Sequence, residues 1–189
     1  MKILYLLLIT LYSCTSKETI KERYDACMER AEKTYFTTED GRTGFSHDVT
    51  SDCVLGSLLP NFEIKDLDDQ WLKSADLNGQ ITVFHFWFIK CKPCLEEMPA
   101  LDSLRQDFKN SPINFIAVST DSKTEVKDFL ESHAFNFRHI VNGEEFIDEQ
   151  FGTTWGFPST WVVDRDNKVI KIFGKLSASD LRELVGVLR

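Results

Sequence analysis

Residues 81–99 read ITVFHFWFIKCKPCLEEMP, and this stretch decides the fold. Its first part, residues 81–88, is almost wholly apolar and aromatic, which predicts a central β-strand buried on both faces. The residues that follow, 94–108, carry apolar side chains at helical spacing. The two cysteines therefore stand where a buried strand passes into a helix.

This junction gives the two cysteines different chemistry. Cys91 is predicted at the helix N-terminus, where unpaired N–H groups and the helix dipole favour an anion. The thiolate is the attacking form of cysteine, so this position activates Cys91. Cys94, one turn further on, can attack a mixed disulfide on Cys91 and release the product. Pro93 falls in the first turn, where its missing N–H costs least.

Outward from this stretch, strand and helix patterns alternate from residue 55 to the C-terminus. Further strands are predicted at 113–118, 137–141, 160–163 and 169–173, with the last two joined as a hairpin. Helices are predicted from about Ser122, over 144–151 and from Ser177. The alternation predicts an α/β domain with a central mixed β-sheet flanked by helices.

The N-terminus has the pattern of a targeting segment. Lys2 precedes an apolar run, 3–11, that is too short for a mature membrane span and suits a signal peptide. The run ends in Leu-Tyr-Ser-Cys, which resembles the bacterial lipobox. We therefore expect residues 1–13 to be a lipoprotein signal peptide, with Cys14 as the lipidated first residue of the mature protein.

Residues 14–54 are predicted to form an extension made of a helix and a loop. One helical face is indicated by residues at spacings of three and four, namely Ile20, Tyr24, Cys27, Ala31 and Tyr35. The segment 37–52 is rich in Thr, Gly, Ser and Asp and reads as loop. Of the five cysteines, Cys27 and Cys53 remain after Cys14 and the redox pair, and in an exported chain they are a plausible structural disulfide.

Charge and metal-ligand spacing exclude other classes. The net charge is −8 and no basic stripe is present, so no nucleic-acid partner is expected. A CxxC can be half of a zinc site, but His133 and His139 offer no paired ligand spacing. We therefore expect neither a metal nor another cofactor.

Seven short motifs occur in order along residues 55–189, namely LPNF (59–62), DLNG (76–79), FW (86–87), CKPC (91–94), EMP (97–99), GFPST (156–160) and VDRD (163–166). In these motifs the segment resembles the TlpA/ResA-like branch of the thioredoxin superfamily. The resemblance implies a thioredoxin-like fold with a cis-proline, here Pro158, packed against the redox pair. It further implies that the backbone of Phe157 pairs with a substrate strand, that Lys92 and Pro93 contact the substrate, and that Glu97 is the functional acid.

Members of that branch are often membrane-anchored thiol-disulfide oxidoreductases facing outward, and many act as reductants. The resemblance thus implies a cell-envelope enzyme whose partners are protein thiols or disulfides, with a membrane electron donor as a further candidate. The chain departs from the branch at Lys90, where Trp is usual, and at His85, where Asn is frequent. A His in an apolar strand is more often a core residue than a catalyst.

Two other functions stay open at this point. A thiol peroxidase of the peroxiredoxin type shares the fold, but it carries Thr three residues before a single reactive cysteine, where this chain has Phe88 and a second cysteine after Cys91. A non-catalytic binding module would be favoured by loss of either cysteine, and both are present.

Overall fold

The computed structural model describes residues 17–47 and 49–188. Its centre is a five-stranded sheet in the order β7-β6-β5-β8-β9. The strands are β5 (Ile81–Trp87), β6 (Ile113–Ser119), β7 (Arg138–Ile140), β8 (Ser159–Val163) and β9 (Val169–Phe173). β5, β6 and β7 run parallel, whereas β8 and β9 are antiparallel to their neighbours. The sheet is therefore mixed, with β5 at its centre.

Helices cover both faces of this sheet because β5 is apolar on both. Val83 and Trp87 face one cluster, which contains side chains of α2 (Lys92–Asp107), α3 (Lys123–Leu130) and α5 (Ala178–Leu188). Phe84 and Phe86 face the other cluster, with side chains of α4 (Glu144–Gln150). All seven residues of β5 are buried, which confirms the central strand and the mixed sheet predicted from the sequence.

The extension before the domain contains more regular structure than predicted. It comprises α1 (Ile20–Arg30), the antiparallel hairpin of β1 (Lys33–Thr37) and β2 (Thr43–His47), and a 3-10 turn over Ser51–Val54. The prediction of helix plus loop was therefore wrong over the hairpin. Tyr35 continues the helical spacing of α1, but it lies in a Thr-Tyr-Phe-Thr run whose β-branched and aromatic residues favour a strand.

α1 is attached to the domain by backbone and apolar contacts. The capping box of Thr19 and Glu22 starts the helix, and the Ile20 N–H donates to the Leu58 carbonyl at 2.9 Å. Ile20 is fully buried in the same cluster as Phe84. A second short hairpin, β3 (Glu63–Lys65) with β4 (Trp71–Lys73), precedes the sheet. No helix of residues 17–47 and 49–188 is long and apolar enough to cross a membrane.

Candidate active site

The redox pair lies where β5 hands over to α2, as the sequence predicts. Cys91 is the N-cap of α2, and the structure joins it to Cys94 as a disulfide with Cα atoms 5.2 Å apart. The Cys94 N–H donates to the Cys91 sulfur at 3.3 Å. Cys91 keeps 4% exposure and Cys94 has none. The helix N-terminus thus offers an N–H to the sulfur of Cys91, the cysteine that keeps some exposure.

The loop that leads into β8, the strand paired with β5, contains the cis peptide bond Phe157–Pro158. Pro158 is buried and Phe157 is half-buried. The Phe157 ring packs edge-on against Phe88, three residues before Cys91, with ring centroids 5.3 Å apart. Pro93 is half-buried and Lys92 exposed in the first turn of α2. Of the residues assigned to substrate contact, Lys92 and Pro93 thus lie between the two cysteines, and Phe157 and Pro158 lie in the loop before β8.

Glu97 lies one turn beyond Cys94 and points inward. Its Oε2 accepts a hydrogen bond from the Leu176 N–H at 2.8 Å, and the side chain is almost fully buried. Burial raises the pKa of Glu97 to about 7, and the bond to Leu176 and the charge of Lys175 only partly oppose this. Glu97 therefore holds or releases a proton near neutral pH.

His85 lies in β5 beneath this region and is fully buried. Its Nδ1 is 3.0 Å from the Thr160 hydroxyl and 3.7 Å from Glu97 Oε1. Burial, and to a smaller extent His139, lowers the pKa of His85 to about 3. His85 is therefore neutral when Glu97 titrates, so the two side chains form no ion pair.

Asp121 is a site residue that sequence reasoning missed. Its Oδ2 accepts hydrogen bonds from the Ile89 N–H at 2.7 Å and from the Ser119 hydroxyl at 2.8 Å. β5 and β6 are parallel neighbours, so the segment after Ser119 meets the loop that leads to Cys91. A signal was present in the polar run Ser-Thr-Asp, residues 119–121, directly after a buried strand. Asp121 anchors the backbone two residues before the nucleophile.

The other cysteines lie apart from this centre. Cys27 and Cys53 form a disulfide in the extension, with Cα atoms 6.6 Å apart. Cys53 packs against the apolar cluster on the sheet face away from the redox pair. Cys14 and the segment 1–13 lie outside the described residues. Across residues 17–47 and 49–188, no three His, Cys, Asp or Glu side chains group as they would around a metal ion.

A mixed sheet, a cysteine pair at the N-terminus of the helix after its central strand, and a cis-proline just before the neighbouring strand β8 define a thioredoxin-fold dithiol protein. The chain belongs to the AhpC/TSA family, whose model matches residues 55–172, and within the superfamily to the TlpA/ResA-like thiol-disulfide oxidoreductases.

The similar proteins of known name include thiol-disulfide oxidoreductases. The thiol-disulfide oxidoreductase ResA of Bacillus anthracis is 29% identical over 129 residues, which covers 67% of this chain and 74% of the relative. The ResA of Geobacillus thermodenitrificans is 27% identical over 132 residues, which covers 69% of this chain and 75% of the relative.

Solved structures share the fold. The thioredoxin domain of a thiol-disulfide oxidoreductase from Bacteroides vulgatus superposes with a TM-score of 0.61 at 25% identity, covering 70% of this chain and 96% of that domain. A thiol:disulfide interchange protein, DsbE, from Chlorobium tepidum superposes with a TM-score of 0.62 at 21% identity. The match covers 70% of this chain and 93% of that one. The fold prediction is confirmed by these likenesses.

Proposed function

We propose that this protein exchanges disulfides with protein substrates in the cell envelope, with Cys91 as the attacking thiol and Cys94 as the resolving thiol. The observation that carries the proposal is the unequal placement of the pair. Cys91 is the helix N-cap and retains some exposure, whereas Cys94 is fully buried one turn away. An incoming sulfur therefore meets Cys91 first.

The exchange reduces the substrate by two electrons. The Cys91 thiolate attacks one sulfur of the substrate disulfide, forms a Cys91–substrate bond and breaks the substrate S–S bond. The released substrate thiolate takes a proton. Cys94 then attacks the Cys91 sulfur, closes the Cys91–Cys94 disulfide and releases the second substrate thiol. Glu97, one turn from Cys94 and able to change protonation near neutral pH, is placed to take the proton that Cys94 loses.

The substrate is held as an extended strand. Backbone groups of Phe157 pair with it beside Pro158, which is a β-augmentation mode of recognition. Lys92 and Pro93 line the other side of the scissile disulfide. Support for this comes from the Phe88–Phe157 contact, since it ties the cis-proline loop to the segment that carries Cys91.

The location and the direction of electron flow belong to the same proposal. The apolar run 3–11 and the Leu-Tyr-Ser-Cys sequence before residue 15 support export and a lipid anchor at Cys14. A membrane electron donor would return the pair to its dithiol form. The resemblance to the TlpA/ResA-like branch, many of whose members act as reductants, supports action as a reductant. Replacing Cys14 by Ala should move the protein from the membrane to the soluble fraction; unchanged membrane association would contradict the anchor.

Trapping tests the roles of the two cysteines. Cys94→Ser should accumulate mixed disulfides with substrate proteins, because release needs the second thiol, while Cys91→Ser should abolish insulin reduction and trap nothing. Equal trapping by both variants would overturn the assignment of Cys91. Peroxide consumption without insulin reduction would instead support a thiol peroxidase. The absence of both activities would support a binding module.

A redox titration against glutathione tests the direction. A potential near that of thioredoxin, about −270 mV, is expected for a reductant. A potential near about −120 mV, typical of a strong oxidant, would contradict it.

A further inference from the structure

Trp155 has an unusual backbone in the loop that leads to Pro158. Its φ is +57°, in the left-handed region that bulky side chains rarely adopt. The next residue, Gly156, has φ +101° and tolerates such a conformation without cost. Trp155 has no such freedom, so the surrounding contacts must stabilise this conformation.

Those contacts come largely from the N-terminal extension. The Trp155 indole N–H donates to the Val49 carbonyl at 3.3 Å. The Tyr24 ring of α1 meets the Trp155 ring edge-on, with centroids 5.8 Å apart. Tyr24 also lies so close to Gly152 that a Cβ there would overlap its ring. From the sheet side, the Trp161 ring of β8 packs on the Trp155 ring in a tilted arrangement, with centroids 5.6 Å apart, and within the loop the Trp155 backbone N–H donates to the Thr153 hydroxyl at 3.2 Å.

The two extension segments that hold Trp155 are joined covalently. Tyr24 lies one turn before Cys27 in α1, and Val49 lies four residues before Cys53. The Cys27–Cys53 disulfide therefore closes the extension around the Trp155 side chain. These residues precede the family match, which begins at residue 55. Trp155 itself lies inside the match, which ends at residue 172.

We propose that Trp155 is a positioning residue for protein substrates, and that Tyr24, Val49 and the Cys27–Cys53 disulfide form a clamp that holds it. Trp155 is two residues before Phe157, whose backbone receives the substrate strand, so its conformation sets where that strand docks. The inference rests on the proposed function, in which the Phe157–Pro158 loop binds substrate. The clamp acts on docking and leaves the chemistry of Cys91 and Cys94 unchanged.

The test compares a protein disulfide with a small one. Trp155→Ala and the double variant Cys27→Ser/Cys53→Ser should raise KM for insulin by about fivefold with little change in kcat, as expected when binding alone is lost. Turnover of the small aromatic disulfide DTNB, which has no strand to dock, and the glutathione redox potential should stay as in the unchanged protein. Trp155→Phe keeps the ring contacts and should retain most of the insulin affinity.

Trp71→Ala is the matched control, because Trp71 is an exposed tryptophan on β4. Trp71→Ala should change neither the KM for insulin nor the turnover of DTNB. Equal losses on insulin and DTNB, or an unchanged KM for insulin, would overturn the clamp. Amide hydrogen exchange of residues 152–157 gives a readout independent of activity and should accelerate in Trp155→Ala and in the double variant. An unchanged protein that fails to reduce insulin contradicts the proposed function, whereas unchanged exchange in the variants contradicts the clamp.

Discussion

Glu97 combines deep burial with an inward-facing carboxyl. Only one of its oxygens accepts a hydrogen bond within the described part of the chain, from Leu176, and the other lies 3.7 Å from a neutral His85. The environment thus stabilises the protonated acid more than the carboxylate. Ionisation of Glu97 should therefore lower the free energy of unfolding.

Replacing Glu97 by Gln should remove a pH dependence of stability. The pKa of Glu97 is about 7 when folded and 4.5 as a free side chain, so the folded state binds the proton more tightly. The favourable contribution is complete below pH 4.5 and is lost as pH rises through 7. Relative to Glu97→Gln, the unfolding free energy should fall by roughly 3 kcal/mol over that window. Urea titrations at several pH values measure it.

Glu96→Gln is the control for this experiment. Glu96 is exposed and pairs with Lys175 at 2.6 Å, so it is the neighbouring acid without the burial. Its variant should keep the pH slope of the unchanged protein. A slope that survives in Glu97→Gln would contradict the assignment of the titration to Glu97.

Asp121 should affect both stability and the reactivity of Cys91 through its hydrogen bond to the Ile89 backbone. Asp121→Ala leaves the Ile89 N–H without its partner, which should cost about 1–3 kcal/mol of stability and slow alkylation of the reduced Cys91. Asp102→Ala is a matched control, because Asp102 accepts hydrogen bonds from Asn136 in a different loop. We expect Asp102→Ala to lose stability without altering Cys91 alkylation. Similar slowing in both variants would contradict the positioning of Cys91 by Asp121.

Which site residues the sequence could predict depends on how local their contacts are. Cys91, Cys94 and Pro93 were predictable because the strand-to-helix junction is local. Asp121 left a local signal, the polar run after β6, but its partner Ile89, like His85, the partner of Thr160, is brought close only by strand pairing. The hydrogen bond of Trp155 to Val49 spans 106 residues and left no local signal.

The helices and strands also divide into those that local sequence patterns predicted and those that they did not. β5 and α2 were predicted because long apolar or helically spaced runs carry a strong signal. β4 has three residues and is too short to show a period. The hairpin of β1 and β2 was missed because all five residues of β1 are exposed, so no alternation of apolar and polar residues marks that strand.

The hairpin of β1 and β2 should also be the least protected sheet. All five residues of β1 are exposed, whereas all seven of β5 are buried. Backbone hydrogen bonds open locally where few apolar contacts cover them. Hydrogen-exchange mass spectrometry should therefore show exchange over 33–37 that is orders of magnitude faster than over 81–87. Comparable protection would mean that another surface covers the hairpin.

For the molecule as a whole, the Cys27–Cys53 disulfide should contribute more stability than the redox pair. It joins residues 26 apart, which on the chain-entropy model corresponds to about 3–4 kcal/mol. Cys91→Ser/Cys94→Ser opens a link between residues only 3 apart and should cost about 2 kcal/mol. Urea unfolding of the two double variants compares them directly. Equal losses would contradict a structural role for Cys27–Cys53, as would free thiols at these positions in non-reducing peptide maps.

The order of the disulfides along the chain has a consequence for biogenesis. Each bond joins successive cysteines of the described chain, 27 with 53 and 91 with 94, so their loops neither overlap nor interlace. A polypeptide that emerges N-terminus first presents Cys27 and Cys53 together before Cys91 appears. Pairing of these four cysteines in the order in which they emerge therefore gives both disulfides directly, with no exchange of partners.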